Sequence, residues 1–182
     1  MNNIYELKNE SNIKRALIPL ILLTVILIII DQTVKHIAEI TLISGDISLI
    51  NDFFYLELVH NRGAAFGILE NSRLFFCVIT LIFVIALELF YIRIPAKKEY
   101  KILRYDLIIL LSGAVGNLID RIKCGYVVDF LAFDFGSYKF PRFNVADIYV
   151  CVSAAILFIL IIFVYSDEQL HDILNMKGKS RI

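Results

Sequence analysis

Four long apolar stretches constrain this chain more than any other feature of its sequence. They cover residues 16–37, 73–92, 103–120 and 145–165, and most approach the roughly 20 residues that a helix needs to cross a bilayer. The third is the shortest, and it contains Gly113 and Gly116, small residues that allow close helix packing. The sequence therefore predicts an all-α membrane protein, a single integral membrane domain over residues 1–182 with four transmembrane helices.

Composition supports this class. The chain is 59% hydrophobic with a mean hydropathy of +0.75, and its zero formal net charge argues against nucleic acid as a partner. A cleaved signal peptide is the alternative for the N-terminus. It is disfavoured because Asp31 and Lys35 follow Ile30, where a small-residue cleavage site would be expected.

Lys and Arg are distributed unevenly between the connecting segments. Residues 1–15, 93–106 and 166–182 carry 11 of them in 46 positions, whereas residues 31–73 and 120–144 carry 7 in 68. Cytoplasmic segments are enriched in Lys and Arg, so both termini are predicted to be cytoplasmic, with 1–15 and 166–182 as cytoplasmic extensions.

Five polar clusters then fall on the outer side of the membrane. They are Asp31-Gln-Thr-Val-Lys35, Asn61-Arg-Gly-Ala-Ala-Phe-Gly67, Asn117-Leu-Ile-Asp-Arg121, Val127-Val-Asp129 and Phe143-Asn-Val-Ala-Asp147. Charged residues close to the hydrocarbon are costly, so several carboxylates at one membrane depth suggest chemistry. Asp129 is expected in the loop between the last two spans.

A small extracytoplasmic β-element is predicted in the first outer loop. Residues 47–50 and 53–59 are rich in β-forming residues, with Asn51-Asp52 as a turn signal between them. A second short strand is expected over 138–143, where Pro141 favours an edge position. The run Gly63–Gly67 would allow close approach by a helix or an extended substrate.

Each cluster also has a structural interpretation. Asp31 and Lys35 are spaced i, i+4, as in an ion pair at a helix end. Asn144 is a good N-cap for the fourth span, with Asp147 at the third helical position. Asn117, Asp120 and Arg121 share one helix face, an arrangement that suits a structural cluster of hydrogen bonds.

A pair of carboxylates in a partly dry site has a functional interpretation as well. The structural roles above do not require a second aspartate. Two such groups repel one another, so one keeps its proton while the other is ionised. An acid and a base held together can activate water against an amide carbonyl without a metal or a covalent intermediate.

The cysteines support neither a disulfide framework nor a metal site. Cys77, Cys124 and Cys151 are dispersed and contain no CxxC pair, and the three histidines lack ligand spacing. The thiols are predicted to be buried small apolar residues, and no cofactor is expected.

The polar clusters resemble the motifs of bacterial lipoprotein signal peptidase, also called signal peptidase II, an aspartic protease of the plasma membrane. The motifs DQTVK, NRGAAFG, GAVGNLIDR, GYVVDF and FNVAD follow one another in that order. The resemblance implies a membrane aspartic endopeptidase that acts on diacylglyceryl-modified prolipoproteins in contact with membrane lipids. It would cleave before the lipidated cysteine, at the outer face of the plasma membrane.

The resemblance also assigns residues. Asp129 and Asp147 match the catalytic pair, and the supporting or substrate-contacting positions are Asn61, Gly63, Asn117, Asp120, Arg121, Asn144, Asp31 and Lys35. Asp120 is the rival for catalysis, but the adjacent Arg121 is expected to keep it ionised. Asp129 has apolar sequence neighbours, which would raise its pKa.

Two other classes of protein remain open. An ion-coupled transporter also gathers carboxylates near a membrane, but only Glu88 is expected to interrupt a span. A non-catalytic membrane scaffold would leave the outer aspartates without a role.

Overall fold

The computed structural model describes residues 2–63, 72–95 and 97–174. It contains helices α1 (Asn2–Thr41), α2 (Arg73–Tyr91), α3 (Lys101–Lys123), α4 (Val145–Ile159, continued by a π-helical turn over Leu160–Val164) and α5 (Asp167–Leu174). The helical segments long and apolar enough to cross a membrane are Leu20–Ser44, Arg73–Tyr91, Lys98–Lys123 and Val145–Val164. The prediction of four helices long and apolar enough to cross a membrane is thus confirmed.

Helix α3 is the centre of the bundle. In the most apolar 18 residues of this span 61% are buried, against 17% or less in the corresponding residues of the other three spans. Glycines allow this packing, because a Cβ on Gly113 would lie 2.5 Å from the Ala146 carbonyl oxygen of α4. A Cβ on Gly116 would lie 2.6 Å from Asp31 Oδ2 of α1.

The outer three helices expose large apolar side chains along their spans. Ile26 of α1, Ile82 of α2 and Phe158 of α4 are examples. Apolar faces of this extent are stable only in a nonpolar surrounding. The protein is therefore a multi-pass membrane protein.

Asp106 corrects the expectation that only Glu88 interrupts a span. It lies within the spanning segment Lys98–Lys123 and is buried. Helix α3 begins at residue 101, so Asp106 lies inside the helix, on its second turn, and not at its end.

A four-stranded antiparallel sheet packs at the end of the bundle where α1 and α3 end. Its strands, in sheet order, are β1 (Ile47–Ile50), β2 (Phe54–Asn61), β3 (Val127–Phe135) and β4 (Tyr138–Lys139). The predicted turn joins β1 to β2, with Asp52 in a left-handed conformation at φ 59°. Ala38 and Leu42 of the first span form a buried cluster with Phe130 of β3, which fixes the sheet on the helices.

Strand β3 replaces the loop that was expected around Asp129. Its first four residues are all buried, so the sequence lacks the alternation of a strand with one wet face. Its partner β2 is also about 70 positions away in the chain. Gly125 and Gly136, with φ of +84° and +64°, bound the strand.

Strand β4 is shorter than the predicted 138–143. It ends at Lys139, two residues before Pro141, which has no N–H to donate to a ladder. Phe143 meets β3 again through an isolated bridge to Leu131. Of the run Gly63–Gly67, residues 64–67 lie outside the described part of the chain.

Candidate active site

The start of α4 places Asp147. Asn144 caps the helix, since its side chain accepts from the Asp147 backbone N–H at 3.0 Å. Asp147 Oδ2 in turn accepts from the Asn144 N–H at 3.1 Å. This capping box confirms the predicted helix start and fixes the Asp147 carboxyl at the first turn of α4.

Asp129 lies beside this helix end, on buried strand β3. Asn144 Nδ2 donates to Asp129 Oδ1 at 2.6 Å, and Asn61 Nδ2 on β2 donates to Asp129 Oδ2 at 2.9 Å. The residue is only 2% exposed. Burial raises the pKa of Asp129 to about 7; the negative charge of Asp147 adds to the rise, and the Asn61 hydrogen bond opposes it.

Asn117 links Asp147 to the central helix. Its Nδ2 donates to Asp147 Oδ1 at 2.7 Å, and its Oδ1 accepts from Asn144 Nδ2 at 3.3 Å. The two carboxyl groups, Asp129 and Asp147, are therefore held by a shared set of side-chain amides. Amides can donate to a carboxyl oxygen in either protonation state, so the pair remains free to exchange a proton.

Lys35 occupies the other side of this network. Its Nζ lies 3.0 Å from Asp31 Oδ2 and 2.8 Å from Asp120 Oδ2, and it donates to Asn117 Oδ1 at 2.9 Å. The Lys35 residue is 2% exposed. One buried ammonium thus engages two carboxylates and the Asn117 amide, which in turn contacts Asp147.

The expectation that Arg121 is the cation paired with Asp120 is wrong. Lys35 pairs with it, and not Arg121, because adjacent helical residues project about 100° apart. Arg121 instead donates to the Gly63 carbonyl at 3.4 Å and lies over the Phe76 ring, 5.0 Å from its centroid. Gly63 is also tied to Asn61, whose Oδ1 accepts from its N–H at 3.0 Å.

Asp31 and Gln32 complete the bracing. Asp31 is fully buried, and its Oδ1 accepts from the Ala146 N–H on α4 at 3.0 Å. Gln32 Nε2 donates to Asp120 Oδ1 at 2.7 Å. Gln32 and Phe76 were not among the predicted site residues; Gln32 stands within the DQTVK motif, whereas Phe76 has no signal in the sequence.

All ten predicted site residues belong to one connected set of contacts. From Asp147 the contacts lead through Asn117 to Lys35, and from Asn144 through Asp129 to Asn61. The remaining members are Asp31, Asp120, Gly63 and Arg121.

The cysteines are not members of this hydrogen-bonded set. Cys124 and Cys151 are exposed and Cys77 is half-buried, so the prediction that all three thiols are buried is wrong. Helix faces that contact lipid expose small apolar residues as readily as large ones. Among the described residues no group of three His, Cys, Asp or Glu side chains is arranged to hold a metal ion.

A sequence model of the family described as Signal peptidase (SPase) II matches residues 23–163, which include all ten site residues. The chain belongs to this family. Signal peptidase II enzymes are proteases, and the resemblance read from the five motifs is confirmed.

Individual relatives of the signal peptidase II family agree. The lipoprotein signal peptidase of Clostridium tetani is 46% identical over 144 residues, 78% of this chain and 91% of the relative. That of Caldanaerobacter subterraneus subsp. tengcongensis is 45% identical over 145 residues, 79% and 95% of the two chains. A solved structure described as a bacterial membrane enzyme, at 1.9 Å resolution, superposes with a TM-score of 0.68 at 35% identity, covering 80% of this chain and 94% of that one.

Proposed function

We propose that this protein is an aspartic endopeptidase that removes signal peptides from prolipoproteins by cleaving before the diacylglyceryl-modified cysteine. Its family and the names of its relatives support prolipoproteins as substrates. The observation that carries the catalytic assignment is the position of Asn144, which bonds Asp129 and is the capping partner of Asp147. The carboxyl groups of Asp129 and Asp147 are thereby both positioned by Asn144.

The proposed reaction uses the pair as acid and base. One carboxylate takes a proton from water, the water oxygen attacks the scissile carbonyl carbon, and the other carboxyl donates its proton to the carbonyl oxygen. The tetrahedral intermediate then collapses, the C–N bond breaks, and the leaving amine receives a proton from the pair. A pKa of about 7 suits Asp129 for both proton transfers near neutral pH.

Asp31 and Asp120 have a different role in this proposal. Both contact Lys35, and with the Asp31 bond to the Ala146 N–H they hold α1, α3 and α4 together around the pair. Asn61, Gly63 and Arg121, which contact one another and Asp129, supply polar groups for a peptide backbone in this proposal.

The proposed location is the bacterial plasma membrane, with the site at its outer face. The distribution of Lys and Arg supports cytoplasmic termini and a cytoplasmic segment at 93–104. Asp129 and Asp147 lie at the opposite ends of the helices from that segment. A reporter fused after Lys98 is expected to signal from the cytoplasm; an outward signal would overturn this orientation.

The function is tested with purified protein and a pair of precursors that differ only in lipidation of the cysteine. We expect cleavage of the diacylglyceryl-modified precursor immediately before that cysteine, and little cleavage of the unmodified one. The Asp129→Asn protein, checked for membrane insertion, serves as the inactive control. Equal cleavage of both precursors would contradict the proposed substrate class.

A further inference from the structure

A buried carboxyl group remains that the proposed reaction does not use. Asp106 on α3 is 3% exposed, and neither of its carboxyl oxygens has a hydrogen-bond partner among the described residues. The facing Ser153 of α4 is fully buried, but its hydroxyl donates to the Asp106 backbone carbonyl at 3.2 Å. A buried carboxyl without a partner is costly, so it indicates a missing one.

Asp106 lines a pocket of about 370 Å³ between α3 and α4. The other lining residues are Lys101, Ile102, Tyr105, Ile109 and Ile156. Ile102 and Tyr105 are exposed, so the pocket meets the lipid-facing surface of the bundle. Its interior is otherwise apolar, which suits an apolar helix that carries one cationic group.

Lys101 is the only basic residue of this pocket, and it does not neutralise Asp106. It is exposed at the start of α3, and its Nζ lies 5.8 Å from the centroid of the Tyr105 ring. Among the described residues, no basic side chain forms an ion pair with Asp106. The acidic group therefore has no counter-charge in the described part of the chain, and a cation from outside has to displace the side chains that cover its two oxygens.

Asp106 is aligned with the catalytic pair along α3. Asn117, which bonds Asp147, follows it by eleven positions. Eleven residues of α-helix are about three turns, so both side chains lie on nearly the same face, separated by about 17 Å along the axis. The pocket and the pair thus lie along one side of the seam between α3 and α4.

This separation matches the build of a signal peptide. Such peptides have a basic segment, then roughly 7 to 15 apolar residues, then the cleavage site. An apolar helix of about eleven residues spans about 17 Å. With its cleavage site at Asp129 and Asp147, its basic segment would come to the level of Asp106.

We propose that Asp106 and its pocket receive a Lys or Arg from the basic segment of the signal peptide, and that Asp106 is a specificity-determining residue. This inference rests on the proposed function and orientation. The substrate's ammonium or guanidinium supplies the missing hydrogen-bond donor, while Ile109 and Ile156 contact the start of its apolar stretch.

The test compares two lipidated precursors that differ only in the basic segment, with Lys and Arg retained or replaced by Gln. Wild-type protein in nanodiscs is expected to show a Kd and a KM about tenfold lower for the basic precursor, with similar kcat, the loss expected for one charged hydrogen bond. In Asp106→Asn this preference should vanish, so that the Kd and KM of the basic precursor equal those of the neutral one on the same variant. Glu99→Gln, an exposed carboxylate at the same end of the bundle, should keep the preference.

The outcomes separate this inference from the proposed function. Equal Kd values for the two precursors on wild-type protein, a comparison that needs no variant, would overturn the role of Asp106. Retention of the preference in Asp106→Asn would overturn it as well. If the basic precursor bound more tightly through Asp106 but neither precursor was cleaved, the proposed function would fail and the binding site would stand.

Discussion

Asn144 Nδ2 lies 2.6 Å from Asp129 Oδ1, and this contact joins the buried strand β3 to the first turn of α4. The same asparagine caps α4 through its Oδ1. One side chain therefore sets both the direction of a helix and the position of a carboxyl group on another element. Its two roles can be separated by substitution.

Asn144→Ser keeps a good N-cap but removes the amide that reaches Asp129. We expect the free energy of unfolding to fall by about 1–3 kcal/mol, because buried acceptors on Asp129 and Asn117 lose their donor. The cap itself should add little to this loss, because Ser and Asn cap almost equally well. Cleavage of lipidated precursor should fall strongly. Asn144→Ala, the matched control, also loses the cap and should be about 1 kcal/mol less stable than Asn144→Ser. Full activity in Asn144→Ser would show that the contact to Asp129 has no catalytic importance.

Asp129→Asn and Asp147→Asn are each expected to reduce cleavage by about a thousandfold or more, because an amide cannot exchange the proton that the reaction needs. Both variants should still bind precursor. Asp120→Asn should mainly weaken folding or binding and keep measurable turnover, since its carboxylate braces Lys35. Cleavage rates are compared after confirming membrane insertion. Substantial turnover in Asp129→Asn, with none in folded Asp120→Asn, would assign the catalytic role to Asp120 instead of Asp129.

Lys35→Met leaves two buried carboxylates, Asp31 and Asp120, without their shared cation. Breaking a buried pair in this way typically costs about 3–5 kcal/mol, so the variant should unfold at a markedly lower temperature in detergent. Lys139→Met, at an exposed position on β4, is the control and should unfold like wild type. A Lys35→Met protein as stable as wild type would contradict the bracing role.

Cleavage should decline as the pH rises above about 7, where the Asp129 and Asp147 pair loses its shared proton. Stability has the same direction. Because the pKa of Asp129 is raised from 3.8 to about 7 on folding, the folded state binds more protons between these values, and stability falls as the pH rises through them.

The Asp129→Asn variant tests this linkage, since it has no proton to lose at that position. Its thermal unfolding should depend less on pH between 4 and 7 than that of wild type. A wild-type cleavage rate that stays constant from pH 6 to 9 would contradict an acid and base pair in which Asp129 has this pKa.

Sequence alone was sufficient where the determining interactions are local. The four spans follow from runs of apolar residues, and the α4 capping box needs only Asn144 and Asp147, three positions apart. The ion pair of Asp31 with Lys35 also spans a single helical turn. Membrane burial makes these local patterns strong, because backbone groups in lipid must be satisfied within a helix.

Tertiary structure decided the contacts between distant segments. Lys35 meets Asp120 across 85 positions, and Asn61 meets Asp129 across 68, so neither pairing has a periodic signal in the chain. Strand β3 exists because β2 supplies its hydrogen-bond partners, and its buried run has no alternation to reveal it. The sequence alone determined which polar residues lie at one end of the spans. Packing α1 and α4 against the glycines of α3 decided which of them contact Asn144 and which contact Lys35.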